Sequence, residues 1–225
     1  MRPLLKICGL MREEDVRLCC RKGVDVCGFV TEYPVPVPWN LSRDRCGELL
    51  SLVKGGAKSC IVTGGEKAKL LDLALRLRPD LIQLHGGESL ETAEALASAL
   101  APEGIGVIKT VPASAEARLR EFGTEDGAEC GRLLEEAGAY AALVDARGPE
   151  NAASASLRAD RTLFRAVRDA RKGLTILGGG VRSDNCAELI ALLRPEALDV
   201  MTGVELSPGQ KSEELLTALL EAMEE

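Results

Sequence analysis

Residues 175–203 read TILGGGVRSDNCAELIALLRPEALDVMTG. A short apolar run, Thr175–Leu177, passes directly into Gly178-Gly179-Gly180. An amphipathic segment, Ser183–Leu193, follows, and a second apolar run, Leu198–Met201, leads into Thr202 and Gly203. Apolar runs without polar alternation suit parallel strands covered on both faces. A helical segment between two such runs forms one strand–helix–strand crossover. Ser183, with acidic residues close behind it, is placed to cap that helix.

The same alternation runs outward through the whole chain. Candidate strands are Leu4–Cys8, Val24–Val30, Ser59–Thr63, Leu81–Leu84, Gly106–Lys109 and Ala141–Asp145, before Thr175–Leu177 and Leu198–Met201. Between them lie helical patterns at Arg12–Lys22, Arg43–Lys54, Glu66–Leu77, Ser89–Leu100, Ala128–Ala137, Arg161–Lys172 and Ser183–Leu193, with Ser212–Met223 at the end. Ser42 and Ser212 are the caps expected for their helices. Eight units over 225 residues give about 28 residues each, enough for a strand, a helix and two short loops. The expectation is an α/β chain folded as a (β/α)₈ TIM barrel, a single domain over residues 1–225, since no linker-like stretch divides it. An open doubly wound sheet is the alternative, but it usually has fewer such units and a glycine fingerprint after its first strand. Two long loops, Thr31–Leu41 and Ala146–Asp160, would emerge on the catalytic face.

Bulk composition narrows the functional classes. Hydrophobic residues make up 46%, but no apolar run approaches the ~20 residues a membrane span needs. Charges return at Arg12–Asp15, leaving no signal-peptide core, so a cytoplasmic protein without membrane partners is expected. A net charge of −7 without a basic stripe argues against nucleic acid. The eight cysteines show no CxxC spacing, and His85 is the one histidine. The pattern therefore predicts no metal site and no disulfide framework.

Barrel enzymes carry their chemistry at the carboxyl ends of strands. Gly178, Gly179, Gly180, Thr202 and Gly203 follow the seventh and eighth strands, where backbone N–H groups can approach a phosphate closely. The alternative for Gly178–Gly180 is a tight turn. Cys8 ends the first strand, either as a base or nucleophile or as an inert half-buried thiol. An ordinary thiol, with a pKa of about 8.5, is only slightly ionised at neutral pH. Asp145 ends the sixth strand, and could act as its acid–base partner if its surroundings raised its pKa.

The segments Lys6-Ile7-Cys8-Gly9, Gly28-Phe29-Val30, Gln83-Leu84-His85-Gly86, Val107-Ile108-Lys109 and Leu143-Val144-Asp145 occur in this order. Gly178-Gly179-Gly180 and Asp199-Val200-Met201-Thr202-Gly203-Val204-Glu205, with Pro208, Gly209 and Lys211, complete the set. Together they resemble the phosphoribosylanthranilate isomerase family. The resemblance implies an Amadori rearrangement in tryptophan biosynthesis, with a small phosphorylated substrate and no cofactor. It implies that Cys8 is the general base removing the C2′ proton and Asp145 the general acid protonating the furanose oxygen, with Asp199 contacting substrate.

Three departures fall on the substrate-facing loops. Trp39 stands where the family usually has an arginine for the anthranilate carboxylate, so a bidentate guanidinium contact is replaced by an indole able to stack. Ala153–Ser156 replaces a glycine-rich loop, and Met11 replaces a threonine. His85 either contacts the aromatic part of the substrate or is a structural hydrogen-bonding residue. Arg147, ahead of Lys109, is the candidate replacement cation. These departures keep two further readings open: a paralogue acting on another phosphorylated sugar or aminosugar, and a non-catalytic phosphate-ligand-binding barrel. A monomer and a homodimer both suit the pattern.

Overall fold

The computed structural model describes residues 2–146 and 158–224. Eight parallel strands close into a barrel in simple sequence order: β1 (Leu4–Ile7), β2 (Val26–Val30), β3 (Lys58–Thr63), β4 (Leu81–Leu84), β5 (Gly106–Pro112), β6 (Ala141–Asp145), β7 (Leu174–Leu177) and β8 (Ala197–Val200). β8 returns to pair with β1, setting Lys6 opposite Asp199 and Ile7 opposite Val200. The expected (β/α)₈ barrel is therefore the fold.

Strand periodicity sorts the buried residues into two layers, because successive side chains point to opposite faces. Leu5, Ile7, Cys27, Phe29, Ile61, Val107 and Val144 belong to the layer between sheet and helices. Cys8, Cys60, Val62, Leu81, Ile108, Leu143, Ile176 and Ala197 fill the barrel interior. The interior is a packed core up to the strand ends, as this fold requires.

The covering helices are α1 (Glu13–Arg21), α2 (Arg43–Leu50), α3 (Lys67–Leu77), α4 (Leu90–Leu100), α5 (Ala115–Phe122), α6 (Gly127–Glu136), α7 (Arg161–Asp169), α8 (Cys186–Leu193) and α9 (Glu213–Ala222). Ser42 and Ser212 cap α2 and α9 as expected, accepting from the backbone N–H of Arg45 and Leu215. No helix among the described residues is long and apolar enough to cross a membrane.

The structure corrects four local readings. Ser183 does not cap α8. Asn185 accepts from the Arg182 N–H and donates to the Gly180 carbonyl, so a side-chain-stabilised turn occupies these residues before the helix begins. The helix α5 is an addition to the expected helices: its buried face consists of Ala117, Phe122 and a carboxylate, Glu121, which masks the apolar period. The segment after β8 forms a 3₁₀ turn and a small hairpin, β9 (Glu205–Ser207) with β10 (Gln210–Lys211), too short and polar to register as strands. Finally, β1 stops at Ile7 and β2 starts at Val26, placing Cys8 just beyond its strand.

The long loop after β2 is organised. Thr31 and Leu41 form an isolated parallel bridge that closes its base. Inside it, Asn40 accepts from the Tyr33 N–H and donates to the Tyr33 carbonyl. These bonds fix Tyr33 and Trp39 over the mouth of the barrel. Arg147 and Ala153–Ser156 lie outside the described residues.

Candidate active site

At the carboxyl ends of the strands lies a cavity open to solvent on one side. Cys8, Asp145 and Asp199 reach it from β1, β6 and β8, with Gln83 and His85 from β4. Gly179, Gly180, Thr202 and Gly203 line the side formed by the loops after β7 and β8. Val30, Tyr33, Val37, Trp39 and Val62 line the side formed by β2, β3 and their loops. One side thus offers backbone at glycines, and the other an aromatic and aliphatic wall.

Cys8 is held by strand geometry. Its N–H donates to the Val200 carbonyl at 2.9 Å, and Gly9 turns the chain away with a positive φ of 72°. Burial pushes the thiol pKa above its ordinary value; the Lys6 ammonium opposes that, Asp199 adds to it, and Lys211 opposes it. Lys6 is itself buried and pairs with Asp199 at 2.9 Å. Burial would lower the lysine pKa, but Asp199 first, then Cys8 and Cys60, outweigh it and hold the ammonium charged.

Asp145 sits against glycine. A Cβ on Gly178 would stand 3.1 Å from the Asp145 carboxyl carbon and one on Gly179 3.1 Å from Oδ1. These two glycines make room for the carboxylate. Gly178 does not reach the cavity wall, whereas Gly179 and Gly180 do. Gly203 has a separate reason to be glycine, since a Cβ there would come within 2.1 Å of the Val181 carbonyl oxygen. The loops after β7 and β8 therefore touch backbone to backbone at this point. Gly203→Ala is expected to cost about 1–3 kcal/mol through overpacking and to raise KM for a phosphorylated substrate. Thermal unfolding and steady-state kinetics check both; unchanged KM would remove Gly203 from the phosphate side.

His85 lines the cavity and carries side-chain hydrogen bonds of its own. Its Nδ1 meets Gln83 Nε2 at 3.0 Å and Thr110 Oγ1 at 3.1 Å, which fixes the orientation of the ring. Tyr33 donates its hydroxyl to the His85 carbonyl at 2.8 Å and packs edge-on to the ring. Trp39 is buried, and its indole N–H donates to Glu205 Oε1 at 3.0 Å. Glu205 also accepts from the Gly209 N–H and the Lys211 ammonium.

Two lysines inside the motif segments, Lys6 and Lys211, bridge the first and last strands. Lys211 donates to the Cys8 carbonyl at 2.6 Å and the Met201 carbonyl at 3.2 Å, joining the ends of β1 and β8. Lys6 joins the same strands one layer deeper. Lys109 is the reverse case: it was a candidate cation for the substrate, but it points outward. Its ammonium is fully buried against Glu121 at 2.7 Å and the Thr110 carbonyl, away from the cavity. Its neighbour Ile108 takes the interior position, so strand parity excludes Lys109 from the site. No cluster of candidate metal ligands occurs among the described residues.

The family model described as N-(5′phosphoribosyl)anthranilate (PRA) isomerase matches residues 5–222. An N-(5′-phosphoribosyl)anthranilate isomerase of Afipia carboxidovorans is 32% identical over 224 residues, covering 99% of this chain and 89% of the relative. The corresponding protein of Agrobacterium fabrum is 31% identical, covering 94% and 90%. Among solved structures, phosphoribosyl anthranilate isomerase from Thermotoga maritima superposes with a TM-score of 0.79 at 28% identity, covering 99% of this chain and 98% of that one. A second, in complex with reduced 1-(o-carboxyphenylamino)-1-deoxyribulose 5-phosphate, gives 0.76 at 26% identity, with coverage of 99% and 98%. The chain belongs to the phosphoribosylanthranilate isomerase family.

Proposed function

We propose that this enzyme carries out the Amadori rearrangement of N-(5-phosphoribosyl)anthranilate to the 1-amino-1-deoxyribulose 5-phosphate, in the cytoplasm, as a step of tryptophan biosynthesis. The observation that carries the reading is the convergence of Cys8 and Asp145 on one cavity with glycine backbone on the β7–β8 side. Asp145, protonated, gives its proton to the furanose oxygen; the C1′–O bond breaks as the nitrogen lone pair forms the C1′=N iminium. Cys8, as thiolate, then takes the C2′ proton, and the C–H electron pair forms a C1′=C2′ bond while the iminium electrons return to nitrogen. The resulting enol ketonises, gaining a proton at C1′ as its O–H proton leaves. No atoms are gained or lost overall.

The phosphate lies on Gly179, Gly180, Thr202 and Gly203, with Gly178 behind them supporting Asp145. The ribosyl chain runs past Asp199, and the aromatic ring reaches Trp39, Tyr33 and His85. The Trp39 indole, fixed by Glu205, supplies the stacking face. Trp39→Ala is expected to raise KM by about tenfold, the worth of roughly 1.4 kcal/mol of aromatic contact, with kcat little changed. An unchanged KM would detach the ring from this wall. Arg147 is the residue we assign to the anthranilate carboxylate; Arg147→Ala with unchanged KM would remove it. The whole chain, residues 1–225, works as one barrel domain.

The direct test mixes purified protein with freshly generated phosphoribosylanthranilate and follows loss of its fluorescence. Consumption at enzymatic rates supports the reading. No consumption, with an authentic isomerase active alongside, overturns it. The replacement of the expected arginine by Trp39 favours the second reading, a different phosphorylated aminosugar; there, Trp39→Arg should worsen the native reaction.

A further inference from the structure

We propose that Lys6 is the positioning residue that keeps Cys8 available as a proton acceptor, its ammonium lying buried between the Cys8 sulfur and the Asp199 carboxylate. This deepens the reading of Cys8 as base and rests on it. The geometry begins with register: Lys6 and Cys8 occupy alternate positions facing the barrel interior, and β8 sets Asp199 directly opposite Lys6. Lys6 Nζ donates to Asp199 Oδ1 at 2.9 Å, with both side chains nearly inaccessible.

Gly28 on the neighbouring β2 leaves the space that brings lysine and thiol together. A Cβ there would stand 3.2 Å from Lys6 Nζ and 3.3 Å from Cys8 Sγ, so lysine and thiol meet over the same glycine, and the ammonium's charge favours the ionised sulfur. A buried lysine normally sheds its proton or finds a carboxylate. Here the carboxylate keeps the charge on nitrogen, and the charge on nitrogen favours thiolate over thiol at sulfur. Asp199 acts on the sulfur in the opposite sense, since its negative charge disfavours the thiolate.

In the reaction, the C2′–H bond breaks and an S–H bond forms on Cys8. Lys6 keeps its proton throughout. Lys6 exchanges nothing with substrate. Its effect is on the pH at which Cys8 can accept, which a purely structural lysine would not alter.

The test follows alkylation of Cys8 by iodoacetamide as a function of pH, resolved at the Cys8 peptide by mass spectrometry because the chain has eight cysteines. No substrate is required. Lys6→Met should move the midpoint of Cys8 alkylation upward by about one pH unit, which is about tenfold slower alkylation below the midpoint. Lys6→Gln, which removes the charge but leaves a polar partner for Asp199, should move it upward as well and stands in if Lys6→Met fails to fold. The acidic limb of kcat/KM should shift in the same direction. Midpoints in Lys6→Met and Lys6→Gln that equal that of the native protein overturn the proposal, as does a downward shift in either. Shifted midpoints in a protein that does not consume phosphoribosylanthranilate would sink the substrate assignment alone. Turnover with unmoved midpoints would sink the role of Lys6 alone.

Discussion

Cys8→Ala and Asp145→Asn, made singly, each lower kcat by about 10²–10⁴-fold, the range expected when one positioned proton-transfer group is removed. KM is expected to change less than kcat, because both substitutions leave the glycine backbone and the side chains of the aromatic wall in the cavity. Asp145→Asn is the cleaner of the two. Asparagine has nearly the shape of aspartate, so the space left by Gly178 and Gly179 still accommodates it. An amide nitrogen, however, cannot deliver an acidic proton to the furanose oxygen. Cys8→Ala removes a buried sulfur from the interior cluster that also holds Val30, Trp39 and Val62, so its unfolding temperature should be measured beside its kinetics. Retention of more than a tenth of native kcat in either folded variant would withdraw the corresponding role. Loss of both kcat and cooperative unfolding would show a folding defect, and the Asp145 variant then decides.

The largest expected effect on stability lies outside the cavity, at Lys109 and Glu121. Their side chains are 0% and 4% exposed and 2.7 Å apart, and the ammonium also lies 5.1 Å from the centre of the Phe122 ring. Glu121→Leu strands a buried positive charge, which costs about 3–5 kcal/mol. For a chain of this size, that lowers the melting temperature by roughly 6–20 °C. Adding Lys109→Met should recover most of the loss, because replacing both members of a buried pair with apolar groups of similar volume is often neutral. The isomerisation should be unaffected in the double variant, since neither residue lines the cavity. Additive losses in the double variant would show that the two charges are not energetically coupled.

The sequence carries the barrel because each strand is a compact apolar run and each helix an amphipathic one, and eight such pairs have few other ways to bury their surface. It carries Cys8 and Asp145 because both fall at strand ends inside recognisable motifs. Lys109 shows where strand-end reasoning stops. One residue of shift turns a cavity-facing cation into a buried brace, and parity with Ile108 was the available signal. Lys6 and Lys211 show the complementary failure. A charged residue in an apolar strand has meaning only once its partner is known, and Asp199 and Glu205 become partners only when the first and last strands meet. Trp39 was visible as a substitution, but its tie to Glu205 depends on a hairpin too short to be read from periodicity.

The pairing of β1 with β8 also bears on how the protein comes into being. Lys6 emerges early from the ribosome, yet its counter-ion is 193 residues away. Until β8 is synthesised and docks, the lysine has no carboxylate opposite it and the thiol has no settled protonation. Contacts of such sequence separation form late, after most loop-closure entropy has already been lost. A chain that has not yet docked its last strand therefore lacks the Lys6–Asp199 pair, and the charge arrangement around Cys8 is completed only with closure of the ring.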